Sequence, residues 1–140
     1  MTDTLRRLAR LKQLEETSAR RRLSEAQQAE EANRAEAEAL ARRVDELRLE
    51  GDCDADDLQR RHQMQLRLEL ARRRAVRHSQ TLAERTVRQQ VKYREARVER
   101  RKAERVVEVV EERIADEEAK RLQAQLDAVG TATWFRRRAA

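Results

Sequence analysis

Apolar side chains recur along this chain at the steps of three and four residues that define one face of a helix. From Ala19 the spacing runs through Leu23, Ala26, Glu30, Asn33, Ala37, Leu40, Val44 and Leu47, four heptads with an alanine-rich middle and a firmer leucine/valine end. Ahead of it, Leu5, Leu8, Leu11 and Leu14 recur every three residues, so the stripe is expected to drift there, with no single heptad covering the first helix. The pattern breaks once, at Glu50-Gly51-Asp52-Cys53-Asp54-Ala55-Asp56-Asp57. Gly51 suits a C-cap, and the aspartates suit a turn and the positive first turn of a following helix. Leu58 opens a second stretch with no proline or glycine before Gly130. Within it Val76, Ala83, Val87, Val91 and Val98 form the better-ordered stripe, and Val106, Val110 and Ile114 follow in steps of four, a register slip.

These signals predict an all-α, long antiparallel two-helix coiled-coil hairpin in a single domain spanning residues 1–140. Helix 1 covers about 4–50, the acidic turn 51–57, helix 2 about 58–129, and a C-terminal tail 130–140. A short turn between long helices returns the chain on itself. At 1.5 Å per residue the helices span roughly 70 Å and roughly 110 Å, so the second outruns the first. From about Ala103 onward helix 2 is expected to lack an intramolecular partner, leaving the stripe of Val106, Val110 and Ile114 as a docking surface.

Composition sharpens the choice of class. Leu, Ile, Val and Phe number only 27 of 140 residues, alanine 22, and charged residues 43%. So few bulky side chains with so much charge would fit disorder, and only the periodicity favours helices. No apolar run approaches the roughly 20 residues that cross a bilayer, and the mixed-charge N-terminus resembles neither a secretory signal nor a presequence. A cytosolic location is expected. The net charge of +6 is unevenly placed. Residues 58–105 carry 16 basic and 5 acidic groups, whereas 106–130 carry 3 basic and 7 acidic.

Candidate chemistry is sparse. There is no phosphate loop, HExxH or CxxC, so no enzyme, cofactor or metal is expected. His78 beside Ser79 is no catalytic pair, since neighbours on a helix point about 100° apart. His62 reads as a surface or seam residue. Cys53 sits among carboxylates that disfavour a thiolate, and reads as a plain turn cysteine. The arginine-rich middle, with Arg72, Arg73 and Arg74 at its centre, supports electrostatic docking on an acidic protein surface. Nucleic acid is the weaker reading, because Tyr93 is the one aromatic available there to stack on bases. Trp134 and Phe135, ahead of Arg136-Arg137-Arg138, look like an anchor or a loosely packed tail.

The start LRRLARLKQLEETSARRRLSEAQQAEEA, the approach ALARRVDELR and the tail REARVERRKAERVVEVVEERIADEEAKRLQAQLDAV resemble the small coiled-coil stalk proteins of type III export. These are the flagellar FliJ family and its injectisome relative, the YscO family. The resemblance includes the Gln125-Leu126-Asp127 step, followed here by Ala128, and spans nearly the whole chain. It leaves the flagellar and injectisome branches open. It implies a cytoplasmic stalk, peripheral to the inner-membrane export apparatus, that couples the export ATPase hexamer to the cytoplasmic domain of the export gate and escorts export chaperones. Carried onto this chain, the ATPase-facing residues would be Leu5, Leu8, Leu11, Val106, Val110 and Ile114. The gate-facing residues would be Leu40, Val44, Leu47, Met64 and Leu68. The other classes open to such a sequence are a basic coiled-coil nucleic-acid binder and a structural dimerising rod.

Overall fold

In a computed structural model, which describes residues 1–49, 51 and 54–140, the chain is an all-α two-helix hairpin. Helix α1 is Thr2–Leu49 and α2 is Ala55–Ala139, the longer of the two. The helices run antiparallel, tied by long-range bonds from Arg6 to Glu111, Asn33 to Ala75 and Arg48 to Glu69. Glu50, Asp52 and Cys53 of the expected turn lie outside the described residues.

Charge placement supports each terminus. Asp3 lies in the first turn of α1, and Asp56 and Asp57 in that of α2, where the helix dipole is positive. Arg136, Arg137 and Arg138 occupy the opposite, negative end of α2. The Leu58 amide donates to the Asp54 carbonyl at 2.9 Å, which opens α2 three residues before the expected start at Leu58. The carbonyl of Gly51, expected as a C-cap, accepts from the Arg61 guanidinium at 3.2 Å.

Helix α2 also passes through Gly130 instead of ending there. One glycine costs a helix about 1 kcal/mol and does not by itself stop it. The hydroxyls of Thr131 and Thr133 donate to the carbonyls of Asp127 and Val129, one turn back, so both bonds reach across the glycine. The segment expected as a tail is therefore helix.

Contacts divide the chain into two units, Glu16–Ala96 and Met1–Glu15 with Arg97–Ala140. In the first, the α1 seam is the expected stripe from Ala19 to Leu47. Ala26, Asn33 and Val44 are buried, Val44 being 1% exposed. On α2 the inward positions repeat every seven residues as Leu68, Ala75, Leu82, Gln89 and Ala96. The expected stripe is thus corrected except at Ala83, which is partly buried. Val76, Val87, Val91 and Val98 are all exposed, one or two positions off the seam. The approach is close at Ala75, where Asn33 Nδ2 reaches its backbone oxygen at 3.1 Å and a larger side chain would hold the backbones apart.

In the second unit the correction falls on α1. Leu5, Ala9 and Lys12 are partly buried at spacings of four and three, while Leu8, Leu11 and Leu14 are exposed, Leu14 by 67%. Leu5, Lys12, Ala19, Ala26, Asn33, Leu40 and Leu47 follow one another at seven-residue intervals, so a single heptad does cover α1. Lys12 enters that series because its aliphatic stem can pack while its ammonium reaches Glu15 at 3.0 Å.

Candidate partner-docking surfaces

The unit formed by Met1–Glu15 and Arg97–Ala140 contains the first candidate surface. Leu5, Leu8, Lys12, Glu99, Lys102, Ala103 and Val106 line an open hollow of about 170 Å³. Arg6, beside Leu5 in the chain, donates through Nε and Nη2 to Glu111 Oε1 at 2.8 Å. Helix α1 therefore accompanies α2 as far as Glu111, and the loss of a partner expected at Ala103 comes later. Val106 is half exposed over the hollow, and Val110 is partly buried. Leu11 and Ile114 are exposed.

Glu99 has a displaced acidity. The Lys102 ammonium, hydrogen-bonded to it at 3.0 Å, holds its carboxyl below the usual carboxylate range, and the more distant charge of Lys12 acts in the same sense. Further pairs, Arg100–Glu104 at 2.7 Å and Arg105–Glu108 at 3.0 Å, neutralise part of the local positive charge. These arginines are thus engaged along their own helix, and the electrostatic surface is weaker than the residue count implies.

Beyond Glu111, every residue from Glu112 to Ala140 is exposed. Ile114, Leu122, Leu126, Val129, Trp134 and Phe135 all stand in solvent on continuous helix. Trp134 and Phe135 meet edge to face, with centroids 5.0 Å apart. Arg138 lies over the Trp134 ring at 4.8 Å, one turn on. The two aromatics are therefore ordered on a helix surface. The sequence alone does not join Trp134 and Phe135 to the docking set, because Gly130 reads as a stop between them and the stripe.

The unit Glu16–Ala96 holds two further surfaces. Leu47, Met64 and Leu68 gather with Arg43 and Glu46 round a hollow of about 300 Å³, so three of the five gate-facing candidates are brought together. Leu40 is partly buried, and Val44 is enclosed in the seam, where it presents no surface to a partner. On α2, Arg72 and Arg73 share an open hollow with Glu69, Val76 and Arg77. Arg74 is exposed but does not line it. Glu69 is held by Arg48 at 3.3 Å, so a carboxylate stands inside the basic patch.

Among the described residues no group of three or more His, Cys, Asp or Glu side chains could hold a metal ion. Nor is any helix of them long and apolar enough to cross a membrane. No family model matches the chain, and neither the curated proteins nor the solved structures contain a match.

Proposed function

We propose that this protein is a non-enzymatic stalk component of a type III export apparatus, flagellar or injectisome. In this reading it couples the export ATPase ring to the cytoplasmic domain of the export gate, escorts export chaperones, and works in the cytoplasm beside the inner membrane. The observation that carries the reading is the end of the hairpin where the two helices stop pairing. There exposed Leu8 and Leu11 lie on α1, and α2 continues past the Arg6–Glu111 pair as fully exposed helix carrying Ile114. A helix pair of this kind fits the stalk that the sequence resembles. Large exposed apolar side chains on helices are what a ring-shaped partner would cover. The hollow of Leu47, Met64 and Leu68 suits the gate contact, being lined by these three apolar side chains together with Arg43 and Glu46.

The test is titration of labelled protein against purified export ATPase at about 0.15 M salt, where exposed electrostatics are largely screened. Ile114→Asp and Leu8→Asp should each weaken binding, because a carboxylate would be buried at the contact. Val110 is a poorer probe, since it is partly buried within the free protein. Binding of the ATPase that neither change disturbs would remove this surface from the reading, and no binding at all would remove the reading.

Nucleic-acid binding is the second reading, favoured by one observation, the open hollow of Arg72, Arg73 and Arg77. It predicts the opposite pattern. Affinity for duplex or single strands would fall with salt and with Arg72→Ala and Arg73→Ala, and ignore Ile114→Asp.

A further inference from the structure

The exposed C-terminal part of α2 carries a second apolar repeat, distinct from the one that faces α1. Ala115, Ala119, Leu122, Leu126, Val129 and Thr133 follow at steps of four, three, four, three and four, all of them exposed. Ile114 is the next position of the α1-facing repeat after Val107 and Val110. Ala115 lies one residue further, so the new stripe is turned by about 100° from the face that α1 covers.

We propose that this stripe pairs with the same stripe of a second copy of the chain, antiparallel. Three observations select that occupant and that direction. First, the stripe is complementary to itself when reversed. Placing Leu122 opposite Leu126 brings Ala119 opposite Val129 and Ala115 opposite Thr133, and the two-fold axis repeats each layer. Larger residues meet smaller ones at the outer layers, and the two leucines meet at the centre. An antiparallel coiled coil needs such alternate layers, and a one-residue shift destroys all of them.

Second, charge along the segment is split. Residues 108–118 carry six carboxylates and one arginine, whereas Arg136, Arg137 and Arg138 close the helix. In the reversed register Arg136 faces Glu112 at each end. A parallel pair would set Arg136 against Arg136 and Glu112 against Glu112, which opposes association. Third, the positions that flank the stripe at its centre are Gln123 and Gln125, so no like charges meet across the axis. Ile114 falls opposite Trp134 in the same register, which adds one large apolar contact at each end.

Such a pair covers the extension and leaves the α1-facing seam untouched. It does not depend on the export reading, and a monomeric chain could still bind the ATPase.

Sedimentation equilibrium of the full chain over a wide concentration range tests it. The wild-type chain should pass reversibly from monomer to dimer. Leu122→Asp with Leu126→Asp should weaken the dimer roughly tenfold or more, since four carboxylates, two from each chain, would enter the two central layers. Arg136→Glu should weaken it, and so should Glu112→Arg, by like-charge contact at both ends. An equimolar mixture of these two variants should recover the wild-type affinity, because every end of the mixed pair again joins opposite charges. The proposal is overturned by a chain that stays monomeric throughout, by a dimer indifferent to the two leucine changes, or by an Arg136→Glu dimer as tight as wild type. The last is the signature of a parallel pair.

Discussion

Asn33 donates from Nδ2 to the carbonyl oxygen of Ala75 across the helix pair, at 3.1 Å, from a side chain only 6% exposed. It is the one buried polar residue among the described residues, and it occupies an inward position of the α1 heptad. A polar group at such a position costs stability and specifies register. Asn33→Leu should therefore raise the unfolding free energy by about 1 kcal/mol, the apolar gain exceeding the lost hydrogen bond. The same change should loosen alignment, because the introduced leucine can settle against Leu68 or Leu82 after a slide of one heptad. Spin labels at positions 22 and 85, in a Cys53→Ser background, should give one distance in the parent and a broadened distribution in the variant. A single unchanged distance would show that packing alone holds the register.

Val44 is the largest fully buried side chain described. Val44→Ala removes two methyl groups and should cost about 1–2 kcal/mol in chemical denaturation. Arg48→Ala, one turn away, loses only the part-exposed bridge to Glu69 and should cost under about 1 kcal/mol. Equal midpoints for the two would place the stabilising seam elsewhere.

Glu99 titrates below its ordinary value because of Lys102 first and Lys12 second. A depressed carboxylate contributes stability that is present above its unfolded value and lost as pH falls through the lowered folded value. The contribution of this pair should accordingly persist at neutral pH and vanish only in acid, below the ordinary 4.5. Carboxyl-carbon NMR titration should show Lys102→Met moving Glu99 upward, with Lys12→Met moving it less. Salt should compress both effects, since the group is open to solvent.

Gly130 lies inside α2 without a positive φ, and a Cβ added there would meet nothing within 4 Å. Gly130→Ala should stabilise the end of α2 by about 0.5–1 kcal/mol through lower backbone entropy in the unfolded chain. Hydrogen exchange of the amides after Leu126 should slow several-fold. No slowing would mean that this segment is not helical in the free protein.

The elements themselves were legible in the residues. Scarcity of proline and glycine, abundance of Ala, Glu, Arg and Leu, and a single acidic break dictate two helices of unequal length, because helix propensity and spacing are local properties. The seam of α1 from Ala19 to Leu47 was legible for the same reason. Which of several competing stripes turns inward was not. Leu8, Leu11 and Leu14 are more apolar than Ala9 and Lys12, and Val76 and Val87 more apolar than Ala75 and Thr86, yet the smaller or more polar residues face the partner. Hydrophobicity ranks the faces of an isolated helix, whereas a pair selects the face on which both heptads stay in step and the backbones approach closely enough for Asn33 to reach Ala75. The hollow around Leu47, Met64 and Leu68 joins residues from both helices, so it exists only once that pairing is made. The exposed stripe beyond Glu111 has the converse origin. Its spacing is written in the sequence, but that α1 leaves it uncovered is decided by where the Arg6–Glu111 pair sets the two helices against each other.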